Sequence, residues 1–384
     1  MKIINKPISD NDTLIKFYNQ CIKEKILAID TEFVRETTYY PSLCLIQIAG
    51  SDFAASIDPL SGIDLSPIWK LLSDKNILKV FHAARQDIEI FFNLTGEIPF
   101  PIYDTQIASM FCGLGDQIGY EALVNNFLDI QVNKQFQFTN WLQRPLSKQQ
   151  IEYAISDVTH LIKIYPLIDS LIIEQNRKEW VDKEMSSVSK KNLYQVNSME
   201  IWKKIKIKNA KPHTLNYLKY LAAWRENECK ESNIPRNRLI RDESLINIAF
   251  SLPQTVEELK KTRIFPKNIS YKQCEGIIDT IAKANKVDKL QWPLITKSYK
   301  KSILPKSNLE LVKLLLKVCS EESGLAERII ADADDIRNIF EDDGYDLKLF
   351  HDWRNDIFGK KVKLLLEGKI AFTISNGKIK QLEL

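Results

Sequence analysis

Two acidic residues follow an apolar run near the start of the chain, in Ala28-Ile29-Asp30-Thr31-Glu32-Phe33-Val34-Arg35. The preceding Ile26-Leu27-Ala28-Ile29 predicts a buried β-strand. Side chains alternate along a strand with a period of two, so Asp30 and Glu32 project from the same face. Two neighbouring carboxylates repel each other, and a shared divalent cation would relieve that repulsion. A solvent-exposed strand end explains the pair equally well, so this segment alone leaves both interpretations open.

A second apolar segment, residues 76–82, predicts another buried strand that runs directly into a helix over 83–92. Asp87 lies about one turn into that helix, near the carboxyl end of the strand. Ligands gather at such strand ends in open α/β sheets, so Asp87 is a candidate ligand. Taken by itself, Asp87 is also explained as a solvated helix residue.

A third segment starts at Ser147, which is a typical residue at the beginning of a helix. In that helix Tyr153 and Asp157 are four residues apart, so they lie on one face. Tyr153 alone is equally consistent with a packed aromatic side chain. Together with Asp30, Glu32 and Asp87, the pair forms a constellation that is more informative than any one of its members.

These residues carry a resemblance to the ribonuclease D family of the DEDD exonuclease superfamily. The three motifs, in the family's order, are Asp30-Thr31-Glu32-Phe33-Val34-Arg35, His82-Ala83-Ala84-Arg85-Gln86-Asp87 and Tyr153-Ala154-Ile155-Ser156-Asp157. In the branch of the superfamily that uses histidine, the histidine stands five residues before the last aspartate, and Glu152 occupies that position here. The chain therefore resembles the tyrosine branch.

The resemblance implies a metal-dependent hydrolase that removes nucleotides from the 3′ ends of RNA and releases nucleoside 5′-monophosphates. The family role is 3′ processing of tRNA precursors, and the expected partner is RNA with a single-stranded 3′ end. Two divalent cations, Mg²⁺ or Mn²⁺, would be held by the four acids, and such hard ions suit a site made of oxygen ligands. Tyr153 would orient the attacking water.

Individual roles follow from the same resemblance. Asp30 is expected to bridge the two ions, Glu32 and Asp157 to complete the site of the ion beside the attacking water, and Asp87 to support the other ion. Phe33 is a candidate for contact with the terminal base or ribose, although a core position explains it as well. His82 and Gln106 are weaker candidates for substrate contact.

Composition agrees with a multidomain protein of the cytoplasm. The chain has 384 residues, of which 44% are hydrophobic and 27% charged, and this size favours two or three domains. The six cysteines are scattered without a Cys-x-x-Cys pair, so we expect reduced thiols rather than a zinc or disulfide site. The N-terminus lacks the pattern of a secretory signal, and no uncharged apolar run approaches the length of a membrane span. We expect a monomer that does not associate with membranes.

The net charge of +4 is too small to indicate a polyanionic partner, but its distribution is more informative. Lysines crowd residues 203–211, and Arg236 and Arg238 form a second basic cluster. Such clusters can neutralise phosphates, although they can also be ordinary solvated surface. Beside the nuclease motifs we favour RNA contact through Lys203, Lys204, Arg236 and Arg238.

The segments alternate between strand-like and helix-like up to about residue 195, which predicts an α/β domain with a mixed, ribonuclease H-like sheet covered by helices. We place this 3′-5′ exonuclease domain at residues 1–195. Asp104 precedes a predicted helix, and an N-cap role explains it better than metal binding. After residue 195 helical patterns dominate.

Residues 220–226 and 233–238 resemble the HRDC domain, a small helical bundle that we place at residues 205–290, with Trp224 in its core. A second, divergent HRDC-like bundle is expected over 300–384. Asn376-Gly377 separates two alternating segments and predicts a C-terminal β-hairpin. Asp342-Asp343-Gly344 has part of a calcium-loop pattern without the ligand spacing, so we expect an acidic turn there.

Two other functions are alternatives to the exoribonuclease. A catalytically silent RNA-binding protein would keep the fold and lose metal ligands, but all four acids and the tyrosine are present. A DNA-directed 3′-5′ exonuclease uses the same chemistry, yet the chain has no polymerase-sized segment. A helicase is excluded because no Gly-x-x-x-x-Gly-Lys-Ser/Thr loop occurs.

Overall fold

The computed structural model describes residues 1–132, 134–137, 139–208, 210–293, 306–340 and 347–384. The predicted acidic turn at Asp342-Asp343-Gly344 lies outside the described residues, as does the start of the third predicted domain, residues 300–305. The described residues form two compact units. The sheet unit comprises Met1–Glu32, Leu43–Lys190 and the described part of 299–384. The helical unit comprises Phe33–Ser42 and the described part of 191–298.

A six-stranded sheet runs in the order β1-β4-β3-β2-β5-β6. Its strands are β1 (Lys2–Ile3), β2 (Ile26–Val34), β3 (Ser42–Ala49), β4 (Phe53–Ile57), β5 (Leu78–Phe81) and β6 (Ile102–Asp104). Strands β3 and β4 pair antiparallel, whereas β2 with β5 and β5 with β6 pair parallel. The sheet is therefore mixed, and the predicted ribonuclease H-like α/β architecture is confirmed.

Seven helices accompany this sheet among the described residues up to 190. They are α1 (Asn11–Cys21), α2 (Ser66–Ser73), α3 (Arg85–Thr95), α4 (Thr105–Met110), α5 (Tyr120–Leu128), α6 (Lys148–Glu174) and α7 (Lys178–Val188). Asp104 accepts hydrogen bonds from the backbone N–H groups of Gln106 and Ile107, which confirms its N-cap role at α4. The same carboxylate accepts from the N–H groups of Ala83 and Ala84, so it also fixes the turn between β5 and α3.

Helix α6 starts where the sequence predicts it. Ser147 and Gln150 form a reciprocal capping box, in which each side chain accepts from the backbone N–H of the other residue. One face of the helix is buried along its whole length, through residues such as Ile151, Val158 and Ile168. This packing fixes the register of the face that carries Tyr153 and Asp157.

The helical unit is built on five helices: α8 (Pro212–Glu231), α9 (Arg236–Leu239), α10 (Asp242–Ser251), α11 (Val256–Lys260) and α12 (Tyr271–Asn285). Leu218, Leu221, Ile248 and Ile277 are fully buried in its core, and Trp224 packs against that core as predicted. Tyr39, from the segment that follows β2, belongs to the same core.

The C-terminal part of the sheet unit contains α13 (Lys306–Ser323), α14 (Glu327–Ile330), α15 (Ala333–Asn338), α16 (Asp352–Arg354) and α17 (Lys360–Leu366), followed by strands β7 (Ile370–Ser375) and β8 (Lys378–Glu383). The two strands form the predicted hairpin. Asn376 and Gly377 both have positive φ angles, 51° and 74°, as the tight turn requires.

Aromatic and ionic contacts tie this C-terminal part to the rest of the sheet unit. The rings of Trp180 and Trp353 stack with centroids 5.1 Å apart, and Trp353 meets Phe111 edge-on at 5.5 Å. The guanidinium of Arg354 donates to Glu184 at 2.7 Å and to the carbonyl of Ile329 at 2.9 Å. The compact units therefore do not follow the predicted sequence boundaries at 1–195, 205–290 and 300–384, which stay a prediction of domain organisation.

Two further expectations concern thiols and membranes. None of the six cysteines forms a disulfide, and five of them are buried. Among the described residues, no helix combines the length and the apolar character that crossing a bilayer requires.

Candidate active site

The first two acids stand at the carboxyl end of the parallel part of the sheet. In the pairing of β2 with β5, Ala28 lies opposite Val80, so Asp30 and Glu32 extend beyond the paired residues. The apolar residues before them, Leu27 to Ile29, are fully buried and anchor the strand. The strand thus delivers both carboxylates to the sheet edge with the spacing that the period of two predicts.

Three carboxylates meet at this edge. Oxygen atoms of Asp30, Glu32 and Asp157 all lie within 4.8 Å of one another, and Asp157 comes from α6. Burial raises the pKa of Asp30 to about 6. Burial, followed by repulsion from Asp30, Asp157 and Asp87, raises the pKa of Glu32 to about 10.

The pKa of Asp157 is raised in the same way as those of Asp30 and Glu32. Burial and the neighbouring Asp30 raise its pKa well above the usual range, while a hydrogen bond from Tyr153 lowers it. One carboxylate oxygen of Asp157, Oδ1, is buried without a hydrogen-bond partner. Such an orphaned charged oxygen is costly unless something outside the chain binds it.

Asp87 stands beside the three-carboxylate group rather than within it. It is buried in the first turn of α3, and the hydroxyl of Thr31 donates a hydrogen bond to its Oδ1. Burial and then Asp30 raise its pKa, so its charge is felt at the cluster. The interpretation of Asp87 as a solvated helix residue is therefore wrong.

Tyr153 lies one helical turn before Asp157, and its hydroxyl hydrogen-bonds the Asp157 carboxylate. Burial and the negative charges of Asp157 and Glu32 raise the pKa of Tyr153. The phenol is therefore protonated at neutral pH. The ring of Trp141 lies against it, with centroids 6.2 Å apart and planes inclined by 33°.

The donor set fits divalent cations. Burial raises the pKa values of Asp30, Glu32 and Asp157, and other carboxylates raise those of Glu32 and Asp157 further. Among the described residues, no lysine or arginine contributes to these three pKa shifts. Oxygen-only ligands of negative charge are the set that Mg²⁺ and Mn²⁺ prefer. A bound cation would neutralise the repulsion and occupy the free oxygen of Asp157.

The weaker candidates make contacts of their own. His82 has its Nδ1 at 3.0 Å from the hydroxyl of Thr105, and burial lowers its pKa to about 4, so the ring is neutral. Gln106 donates to the carbonyl of Ile118 at 3.0 Å. Phe33 is half-buried and belongs by its contacts to the helical unit.

The basic residues predicted to contact RNA differ in whether their side chains already form ion pairs. Lys204 and Arg238 are exposed, whereas Lys203 pairs with Glu200. Arg236 binds the fully buried carboxylate of Glu226 through Nε at 2.5 Å and Nη2 at 2.6 Å. Arg236 therefore has a structural role in the helical unit, whether or not it also contacts RNA.

Sequence reasoning missed several residues around the site. Thr31 sits between the two predicted ligands, and the alternation of β2, which turns it away from their face, was a usable indication that it meets another element. Trp141 and Arg144 lie in the loop before α6, and only Trp141 could have been suspected, as a large aromatic residue close to the third motif.

Comparisons with known proteins agree with this geometry. A family model described as 3′-5′ exonuclease matches residues 5–173, and the HRDC domain model matches residues 214–281. A ribonuclease D of Sphingobium indicum is 41% identical over 382 residues, covering 98% of each chain. A ribonuclease D of Bartonella henselae is also 41% identical, over 92% of this chain and 88% of its own length.

The solved structure of Escherichia coli RNase D, described as an exoribonuclease involved in structured RNA processing, superimposes with a TM-score of 0.80 at 27% identity. The alignment covers 94% of this chain and 98% of that one. The resemblance stated from the three motifs is thus confirmed over almost the whole length. With its acidic cluster at the sheet edge and its helical HRDC region, this chain belongs to the ribonuclease D family and is a 3′-5′ exoribonuclease.

Proposed function

We propose that the enzyme trims single-stranded 3′ ends of RNA, with tRNA precursors as its substrates, and that it uses two Mg²⁺ or Mn²⁺ ions. One observation carries the proposal: half-buried carboxylates from β2 and α6 converge within 4.8 Å, and no lysine or arginine in the described part of the chain contributes to their pKa shifts. A structural ion pair would place a lysine or arginine there. A cluster of repelling acids is stable only when a multivalent cation or protons balance it.

Asp30, Glu32 and Asp157 are the proposed ligands, and Asp87 is the proposed supporting ligand held by Thr31. When bound, divalent ions supply Lewis-acid stabilisation of the phosphate oxygens and lower the pKa of water. The four acids would hold the positive charge of the ions at the end of β2.

Tyr153 is proposed to orient the attacking water. Its raised pKa keeps the hydroxyl protonated, so it cannot act as a general base at neutral pH, and because its single proton is donated to Asp157, its oxygen would accept a hydrogen bond from the attacking water. Its own hydrogen bond to Asp157 fixes the direction of the oxygen. The water oxygen then bonds to phosphorus as its proton passes to solvent, and the bond from phosphorus to the 3′ oxygen breaks. The shortened RNA takes up a proton from solvent on that 3′ oxygen, and a nucleoside 5′-monophosphate leaves.

A direct test compares wild type with Tyr153→Phe on RNA that carries a labelled 3′-terminal nucleotide, with Mg²⁺, Mn²⁺ or a chelator. We expect mononucleotide release only with metal. The variant should lose roughly 10- to 100-fold in kcat with little change in KM, the size expected when one hydrogen bond that orients the attacking water is lost.

Tyr103→Phe is the matched control, because the hydroxyl of Tyr103 is buried in the same unit without a hydrogen-bond partner. Its removal should leave kcat within about twofold, since no interaction is lost. Full activity of Tyr153→Phe would contradict the proposed role of Tyr153. RNA binding without any turnover would favour the catalytically silent alternative, and equal turnover of DNA would favour the DNA-directed one.

RNA contact is proposed for Lys203, Lys204, Arg236 and Arg238 of the helical unit. Contact with the terminal nucleotide is proposed separately for Phe33, His82 and Gln106. Lys204 and Arg238 are exposed basic residues of the helical unit. Replacing both by Ala should weaken RNA binding and reduce the slope of log affinity against log salt by about 2. An unchanged slope would show that Lys204 and Arg238 do not contact RNA phosphates.

The substrate and setting are proposed from the family. Precursor tRNA with an unpaired 3′ trailer should be shortened until the acceptor stem is reached, whereas a blunt hairpin should resist. We also propose that the enzyme works in the cytoplasm as a monomer, which sedimentation at working concentration tests. Degradation of the blunt hairpin at the same rate would argue against a single-strand requirement.

A further inference from the structure

Arg144 uses its complete set of hydrogen-bond donors. A guanidinium has five N–H groups. Nε and Nη2 bind the two carboxylate oxygens of Asp58, each at 2.7 Å. The second N–H of Nη2 donates to the carbonyl of Cys44 at 2.7 Å, and Nη1 donates to the carbonyls of Trp141 and Gln143 at 2.8 Å.

These five bonds join a loop to the sheet. Cys44 lies in β3, and Asp58 directly follows β4. Trp141 and Gln143 lie in the segment 139–147, here called the Trp141 loop, which leads into α6. The planar fork of the arginine fixes both distance and direction, which a lysine could not do.

The Trp141 loop is also fastened at both of its ends. Thr139 accepts a hydrogen bond from Nε2 of Gln150 at 3.1 Å, and Gln150 belongs to the first turn of α6. Ser147 closes the other end through the capping box with the same Gln150. Arg144 supplies the remaining restraint, in the middle of the loop.

What the loop presents is Trp141. Only 2% of this residue is exposed, and its indole N–H is buried without a partner. A buried N–H without a partner is unfavourable, so hydrogen bonding of the indole does not keep the ring in place. Packing and the restrained backbone of the Trp141 loop therefore hold it. Its contact with the ring of Tyr153 restricts how that phenol can rotate.

We propose that Arg144 is a positioning residue that acts through Trp141 on Tyr153. The arginine holds the Trp141 loop against the sheet, the indole confines the phenol, and the hydroxyl of Tyr153 stays directed at Asp157. The inference rests on the proposed role of Tyr153. It adds a second layer of residues, Arg144, Asp58 and Trp141, on which turnover depends although none of them is a proposed ligand.

The decisive experiment is a double-mutant cycle between Arg144→Lys and Tyr153→Phe. Lysine keeps the charge but cannot make the five bonds. We expect Arg144→Lys to lower kcat about 10-fold with KM within about twofold, and to change kcat less than about twofold in the Tyr153→Phe background. The phenylalanine side chain has no hydroxyl, so a displaced Trp141 loop has no catalytic hydrogen bond to disturb in that background.

A second measurement needs no metal and no turnover. The emission of Trp141 is obtained as the difference between the spectra of the parent protein and of its Trp141→Phe variant. In Arg144→Lys this difference spectrum should shift to the red and become more accessible to a soluble quencher, because the indole leaves its buried position. An unchanged spectrum would contradict the proposal.

Arg354→Lys provides the matched control. Arg354 is buried in the sheet unit and, like Arg144, it binds one carboxylate and donates to a backbone carbonyl. Its substitution should lower thermal stability while leaving kcat and the Trp141 emission unchanged. If Arg144→Lys behaves in the same way, Arg144 is only structural and the proposal is overturned.

Two outcomes separate this inference from the function on which it rests. If Tyr153→Phe is fully active, the proposed role of Tyr153 is wrong, and the role of Arg144 that depends on it is wrong as well. If Tyr153→Phe is slow and the two substitutions have independent effects, only the proposed role of Arg144 is wrong. Should Arg144→Lys not fold, Asp58→Asn retains the acceptor that caps Leu60 and should show the same pattern at about threefold.

Discussion

The two units bury acidic side chains in opposite electrical surroundings. In the sheet unit, Asp30 and Glu32 face other carboxylates, and their pKa values are raised. In the helical unit, fully buried Glu226 receives hydrogen bonds from Arg236 and from the hydroxyl of Tyr39, and its pKa is lowered.

The difference separates two uses of a buried charge. Glu226 is surrounded by what it needs within the chain, so it holds the helical unit together. For the acids at the end of β2, no arginine or lysine in the described part of the chain contributes to the pKa shifts, so these acids stabilise the fold poorly and suit the binding of a cation. Each prediction below tests this contrast.

The largest expected effect belongs to Asp30→Asn. It should lower kcat on the order of 10²–10³-fold, comparable to losing one electrostatic group from an active site. In chelator the same variant should be more stable than wild type by roughly 1 kcal/mol, because a buried repulsive charge is gone. Rates on labelled RNA and unfolding in urea measure both. A loss of stability together with activity would put Asp30 in the same class as Glu226.

The second largest expected effect is stabilisation of the folded protein by added metal. At 100 times its dissociation constant, Mg²⁺ or Mn²⁺ should stabilise the wild-type protein by about 2.7 kcal/mol, since the folded state binds the ion and the unfolded chain does not. Calorimetric scans with and without metal give this value. Glu226→Gln should keep the whole increment, whereas Asp157→Asn should lose most of it.

Glu226→Gln itself should cost about 2 kcal/mol of folding free energy, because Arg236 and Tyr39 lose a charged acceptor while the arginine can still reach solvent. We expect hydrolysis of a dinucleotide to stay within about twofold at a temperature where the variant is folded. Urea unfolding and the dinucleotide assay check the two parts. A neutral effect on stability would show that the buried pair contributes little.

The smallest effect is a pH dependence of opposite sign for the two kinds of acid. The pKa of Asp30 rises from 3.8 to about 6, so between these values the folded protein binds more protons and rising pH destabilises it, by roughly 1–2 kcal/mol in chelator. The pKa of Glu226 is lowered from 4.5, so its contribution is present above that pH and is lost as pH falls through its folded value. Unfolding between pH 3 and 8 should show the first slope reduced in Asp30→Asn, because Glu32, Asp87 and Asp157 still contribute slopes of the same sign, and the second slope lost in Glu226→Gln.

Local rules were sufficient for much of the fold and for the main acids. The period of a strand put Asp30 and Glu32 on one face, helical spacing joined Tyr153 to Asp157, and Asn376-Gly377 predicted the hairpin turn. Each of these depends on neighbours within a few residues. The family resemblance then supplied the convergence of the three motifs, which spacing alone could not.

Contacts between distant residues were beyond such rules. Arg144 meets Asp58 and Cys44, which lie 86 and 100 residues away in the chain. Tyr39 meets Glu226 across 187 residues. Nothing in the local pattern of either segment specifies these partners, because the choice among many arginines and acids is made by the packing of whole elements.

The attachment of the C-terminal helices has a practical meaning for anyone who wants a minimal nuclease. A fragment stopped near residue 195 would lose Trp353 and Arg354, and it would uncover Phe111, Trp180 and the carboxylate of Glu184. Bared aromatic surface of this kind favours aggregation. Poor solubility of such a fragment would therefore say nothing about the quality of its catalytic residues.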